Sequence, residues 1–220
     1  MRPEEWVLPL RSTSNDRENA YDSIMPVVLR PFDSQDEEVG LAAHMAFAEE
    51  GLIFLLGYQS DMSWQDWLAH IERYRVGSDL PENRVRAEFL AAELNGELIG
   101  RVSIRFALND WLAREGGHIG YGVLPGFRRK GHATEMLRQA ADLAHHEGVD
   151  PLLIICDEDN LGSATVIERC GGVFESLATT ESGTTIRRYW IQVESPRHPS
   201  PANGVTRAKS RSRGTPLDGR

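Results

Sequence analysis

Residues 116–137 constrain the fold more than any other stretch of the chain. Ile119, Tyr121 and Val123 alternate with Gly120 and Gly122, which is the period of a strand. Pro125-Gly126 ends that run. From there the apolar residues Ala133, Met136, Leu137, Ala140, Ala141 and Ala144 recur at helical spacing, and Gly148 falls where a helix C-cap would fall. The pattern predicts a strand, a tight turn and a helix entered through a loop of small and basic residues.

That loop carries chemistry. A helix N-terminus leaves backbone N–H groups unpaired at the positive end of its dipole, so it attracts anions. Gly131 and Ala133 are small enough for a phosphate to approach the main chain, and Arg128, Arg129 and Lys130 add positive charge. A diphosphate suits such a loop.

At 220 residues the chain suits one domain with appendages. Its 40% hydrophobic and 26% charged content is that of a soluble globular protein. No apolar run approaches membrane-spanning length, and residues 1–5 lack a signal-peptide pattern, so no membrane association and a cytoplasmic location are expected. The net charge of -9 argues against a nucleic-acid partner and favours a cationic or amine substrate. Cys156 and Cys170 lack zinc or disulfide spacing and lie in apolar settings, as buried thiols do. His145-His146 suit the C-terminal dipole of the central helix, and no metal site is expected. There is no Gly-x-Ser-x-Gly and no Gly-x4-Gly-Lys-Ser/Thr, which removes the usual hydrolase and kinase motifs.

Three regions follow in order. Residues 1–24 form an N-terminal arm with an apolar patch at Trp6, Val7, Leu8 and Leu10; residues 25–194 form the domain; residues 195–220, rich in Pro, Ser and Arg, form a disordered basic tail. Within the domain, residues 26–31 predict a first strand limited by prolines. A first helix follows with Val39, Ala42, Ala43 and Ala46 on its apolar face. A second opens at a capping box, Ser63-x-x-Asp66, with Trp64, Trp67, Leu68, Ile71 and Tyr74 on one face. Residues 89–106 predict a hairpin around Asn95-Gly96, in which Val102, Ile104 and Phe106 are buried while Arg101, Ser103 and Arg105 form a polar face. Residues 152–156 are a continuous apolar run, expected to be a strand buried on both faces and parallel to the central one. Asn160 then caps a helix with Ala164, Ile167 and Cys170 inward, and two last strands, 173–177 and 186–193, meet around Ser182-Gly183.

Arg128-x-x-Gly131-x-Ala133, preceded by Val123-x-Pro125 and followed by Asp159-Asn160-x-x-Ser163-x-x-Val166-Ile167-Glu168-Arg169-x-Gly171-Gly172, resembles the acyl-CoA pyrophosphate loop and second motif of the GNAT superfamily of N-acetyltransferases. The resemblance spans residues 25–193 and looks most like bacterial acetyltransferases of unknown substrate. It implies an α/β (α+β) fold with a mixed, mostly antiparallel central sheet, a splayed parallel strand pair and flanking helices. It also implies acetyl-CoA as cofactor, bound by Tyr121, Val123, Arg128, Arg129, Lys130, Gly131, His132, Ala133, Thr134, Asn160 and Ser163. Residues 51–60, with Phe54 and Tyr58, would border the acceptor, an amine of a small molecule or peptide.

In the resembling family a backbone N–H at a bulge polarises the thioester carbonyl, which places the bulge near Tyr121–Val123, where glycines on either side of Tyr121 permit one. Many relatives protonate the leaving thiolate with a Tyr where this chain has Ile167, which leaves Tyr121 and Ser163 as stand-ins. His118 is the candidate base, with Glu88 and Asp157-Glu158 as rivals. The missing Tyr also supports an alternative, a catalytically silent acyl-CoA sensor or interaction module. The family often pairs through its C-terminal strands, so a homodimer is expected.

Overall fold

The computed structural model describes residues 27–193. The expected N-terminal arm and basic tail lie outside the described residues. The predicted hairpin is present as β2 (Ala87–Leu94) and β3 (Glu97–Arg105), joined by Asn95 and Gly96, both at positive φ as a tight two-residue turn requires. β1 (Val28–Pro31) adds to the outer edge of β2, and β4 (Ile119–Val123) adds to β3, giving an antiparallel sheet of order β1-β2-β3-β4.

Both faces of this sheet are covered. Alternate residues Leu90, Val102 and Ile104 pack against Met136, Leu137 and Ala140 of α3 (His132–His146). The intervening Ala91 faces a second core containing Phe47 of α1 (Glu37–Glu49) and Trp67 and Ile71 of α2 (Trp64–Val76). The expected polar face of β3 therefore does not meet solvent freely: Ser103 is fully buried, and Arg101 and Arg105 are partly buried. Period-2 alternation tells which side chains share a face and says nothing about what covers that face.

α1 also departs from expectation. Its buried residues are Gly40, Ala43 and Phe47, whereas Val39 and Ala42 are exposed. Gly40 faces inward because the Trp64 indole lies against it, 2.7 Å from where a Cβ would stand. Aromatic bulk on α2 thus selects the smallest residue of α1 for the contact. At the start of α2 the Ser63 hydroxyl accepts from Asp66 N (3.1 Å) and donates to the Asp66 carboxylate (2.6 Å), a one-sided version of the expected box. A reciprocal capping box stands at Asp33 and Asp36, ahead of α1.

The rest of the chain builds a second antiparallel sheet of order β5-β7-β6, from β5 (Leu152–Asp157), β6 (Val173–Thr179) and β7 (Thr185–Ile191). Leu152, Leu153 and Ile154 are buried, as the continuous apolar run predicts. α3 connects β4 to β5, and α4 (Leu161–Arg169) follows β5.

The two sheets meet at one point. His118 N donates to Leu153 O (2.7 Å), and Leu153 N donates back to His118 Nδ1 (2.8 Å). Beyond it β4 pairs only with β3 and β5 only with β7, so the two strands fork. Gly117 makes the junction passable. It sits at φ +65° and ψ −175°, a region open essentially to glycine, and a Cβ there would stand 2.7 Å from Leu153 O.

Gly117→Ala is expected to lower stability by about 2–5 kcal/mol, combining backbone strain with a main-chain clash. Gly126→Ala, where a Cβ meets nothing within 4 Å at ordinary φ, is expected to change it by under about 0.5 kcal/mol. Denaturant unfolding of both variants checks this, and equal stabilities would show that the junction yields.

Candidate active site

A cleft of about 910 Å3 opens where β4 and β5 part. One wall is β4 at Tyr121, Gly122 and Val123; the other is the start of α4, from Asp159 to Arg169. The entrance to α3, from Phe127 to Thr134 without Lys130, contributes to the lining, as do Phe47, Glu50, Leu52, Ile53 and Arg101.

The α3 end has the form of an anion cradle. Gly131 is the N-cap at φ +88°, with no side-chain cap, and Arg129 is also left-handed at φ +64°. Among the described residues, the N–H groups of residues 129–133 make no hydrogen bond within the chain. Successive unpaired N–H groups at a helix N-terminus form a concave donor surface suited to phosphate. Nothing lies within 4 Å of where a Gly131 Cβ would point, so the approach is open.

The three cations predicted to serve this loop take different positions. Arg129 is exposed and lines the cleft. Arg128 lines it too, but its Nε donates to Val123 O (2.9 Å) and its Nη1 pairs with Glu50 (2.9 Å), so it braces the loop against β4 and α1. Lys130 donates to Gly126 O (2.9 Å) and is not among the lining residues. A string of basic residues in sequence does not fix their directions; here backbone carbonyls of the turn claim two of the three.

His132, Ala133, Thr134, Asn160 and Ser163 all line the cleft. Asn160 caps α4 by accepting from Ser163 N (3.0 Å). Tyr121 comes together with Ser163: the phenol donates to Ser163 O at 3.4 Å, and burial raises its pKa well above the usual value, so it stays protonated. Ile167, in the place of the family's Tyr, is fully buried in the core.

The expected bulge in β4 is absent, since its register with β3 runs unbroken from Ile104↔Ile119 to Gly100↔Val123. The fork makes a bulge unnecessary. Ladder bonds at His118 and Leu124 put the alternate residues between them, Gly120 and Gly122, on β3. Tyr121 and Val123 therefore turn their N–H groups to the open side, where no strand pairs with them.

His118 lies at the junction, 6% exposed, and does not line the cleft. Its Nδ1 accepts the Leu153 N–H, and burial, with Arg105 nearby, lowers its pKa to about 4. Glu88, Asp157 and Glu158 do not line the cleft either. Burial raises the Cys156 thiol to about 11 and raises Cys170 as well, so both are inert thiols.

Several cleft residues escape a sequence reading. Of the segment expected to border the acceptor, Phe54 is buried in the second core, whereas Leu52 and Ile53 face the cleft. Aromatic residues find the core here, and the exposed aliphatics beside them take the surface. Alternation puts Arg101 on the polar face of the hairpin, and only the placement of α1 against β4 turns it into a cleft residue.

Residues 27–173 match the family described as the acetyltransferase (GNAT) domain. The chain belongs to the GNAT acetyltransferases. No curated protein matches it in sequence. Among solved structures it is similar to one described as a probable acetyltransferase, at 18% identity and TM-score 0.58 over 76% of this chain and 93% of that one. It is also similar to the microcin C7 self-immunity acetyltransferase MccE in complex with acetyl-CoA and AMP, at 20% identity and TM-score 0.52 over 77% and 93%. RimJ of Mycobacterium smegmatis in complex with CoA-disulfide aligns at 18% identity and TM-score 0.55 over 77% and 86%. These likenesses show the fold, which is the mixed architecture expected from the sequence.

The His118 environment sets a pH dependence. A folded pKa of about 4 against 6.5 unfolded means the unfolded chain binds the proton first, so stability falls as pH drops from about 6.5 to about 4 and levels off below. The loss is on the order of 3 kcal/mol. His118→Asn, which keeps an acceptor for Leu153 N–H without titrating, is expected to flatten that slope in unfolding curves across this window. An unchanged slope would assign it to other groups.

Proposed function

We propose that the protein transfers the acetyl group of acetyl-CoA to an amine of a small molecule or peptide. The observation that carries this is the run of unpaired N–H groups at residues 129–133 opening onto a strand fork whose wall presents two further unpaired N–H groups. The cradle suits the diphosphate, with Arg129 beside it, and the groove along Asn160 and Ser163 suits an extended pantetheine arm. When bound, the cofactor supplies an activated thioester.

The chain's own groups then do three things. One backbone N–H on the open side of β4, at Tyr121 or Val123, donates to the carbonyl oxygen, which stabilises negative charge there. The Tyr121 hydroxyl, held by Ser163 O, carries the proton for the departing sulfur from the opposite wall to the family's usual Tyr. The amine gives its proton to solvent, because His118 is occupied at Nδ1 and lies off the cleft. His118 is a positioning residue that pins the fork.

Calorimetry with acetyl-CoA tests the binding half. Wild type is expected to bind in the roughly micromolar range. Arg129→Ala/Gly131→Asp is expected to bind at least about 100-fold more weakly, since a carboxylate then faces the diphosphate. Wild-type protein that ignores acetyl-CoA would sink the proposal.

Free-thiol release across an amine panel tests the chemistry. Tyr121→Phe is expected to lower kcat by about 10²–10⁴-fold with the KM for acetyl-CoA within about threefold. The second reading, a silent acyl-CoA sensor, is favoured by Ile167 alone. Tight binding with no thiol release for any amine would establish it instead.

A further inference from the structure

Two arginines of β3 converge over a glycine of β4. Nη1 of Arg101 and Nη1 of Arg105 each stand 3.5 Å from the point a Cβ on Gly120 would occupy. Ser103, between them in sequence, is fully buried, and its hydroxyl donates to Gly120 O (3.3 Å).

The two guanidiniums are poorly satisfied. Arg101 donates one bond, from Nη2 to Ile53 O (2.9 Å), and its Nε is buried with no partner. Arg105 reaches only Gly116 O, at 3.5 Å. Among the described residues neither forms an ion pair, although Arg30, Arg86, Arg128 and Arg188 each pair with a carboxylate. In a chain with 33 acidic against 24 basic residues, two adjacent arginines left without an acid are a local reversal of the overall charge. Burial, joined at Arg101 by the charge of Arg105, lowers both pKa values to about 10, yet both remain charged at neutral pH. Placing like charges together in a half-buried site is unfavourable unless an anion joins them.

Arg101 lines the cleft beside Gly122 and Ile53, across from the stretch of β4 where Tyr121 presents its N–H. Gly122 leaves the floor beside Arg101 without a side chain; Arg105 and Gly120 do not line the cleft, and Arg105 meets Arg101 at the point over Gly120. We propose that Arg101 and Arg105 form an anion subsite for the acceptor, which carries its own carboxylate or phosphate close to the amine. The guanidiniums hold the anionic group and thereby aim the amine at the fork. This rests on the acetyltransferase reading of the same cleft. It replaces the cationic acceptor that the net charge alone suggests.

The test is calorimetry on the full chain saturated with CoA, so that the cradle at 129–133 is already filled. Glutarate and inorganic phosphate are the probes, one for each source of the anion. At least one is expected to bind wild type saturably, glutarate marking a carboxylate acceptor and phosphate a phosphorylated one. Its Kd is expected to rise at least about tenfold in Arg101→Gln/Arg105→Gln, as loss of charge-assisted bonds requires. Arg105→Gln alone, which keeps the Arg101–Ile53 bond, is expected to weaken binding at least about threefold on the same grounds. The CoA Kd is expected to stay within about threefold in all variants. Failure of both probes to bind wild type, or equal binding by the double variant, overturns the proposal. Failure of CoA itself to bind would overturn the acetyltransferase reading instead, and is read in the same titration.

Discussion

The exchange of two hydrogen bonds between His118 and Leu153 is the interaction on which the architecture turns. It is the only backbone bridge between β4 and β5 among the described residues, and it uses an imidazole nitrogen where a continuous parallel ladder would use a carbonyl. A side-chain acceptor satisfies Leu153 N–H without requiring the next residues to pair, so the strands are free to part immediately. A neutral ring is required, and burial keeps it neutral. Gly117 supplies the backbone turn that lets the chains come this close. The cleft, its unpaired N–H groups and its depth all follow from strands that touch once and separate.

Separation would be costly if the freed backbone groups and apolar surface faced water alone. α3 limits that cost by packing Met136, Leu137, Ala140 and Ala144 under β3 and β4 and beneath β5. The same helix points its uncapped N-terminus along the opening. One element thus joins the sheets, supports the fork and supplies the anion cradle. Charge is distributed accordingly: donors without acceptors line one cavity, at residues 129–133 and at Arg101, in a protein whose net charge is -9.

Much of this is written locally in the chain. The strand at Ile119–Val123, the turn at Pro125, the helix to His146 and the buried run from Leu152 are each set by spacing within a dozen residues. So is the cradle, because the left-handed Gly131 and the absence of a capping side chain are sequence-local properties. The family motif around Arg128 and Asn160 adds the class of chemistry. The misassigned positions have a common cause. Val39 against Gly40, Phe54 against Ile53, and what covers the polar face at Arg101 all depend on which distant element packs on a face, and periodicity carries no such information.

Sequence by itself therefore determined the order of elements, the glycine-permitted turns and the uncapped helix entrance, because these depend on backbone conformation and nearest neighbours. Tertiary structure alone decided that β4 needs no bulge, that His118 is a joint between sheets and that Arg101 and Arg105 meet over Gly120. Each of these is fixed by a contact between segments far apart in the chain, where the deciding quantity is which unpaired donor finds which acceptor once the sheets are in place.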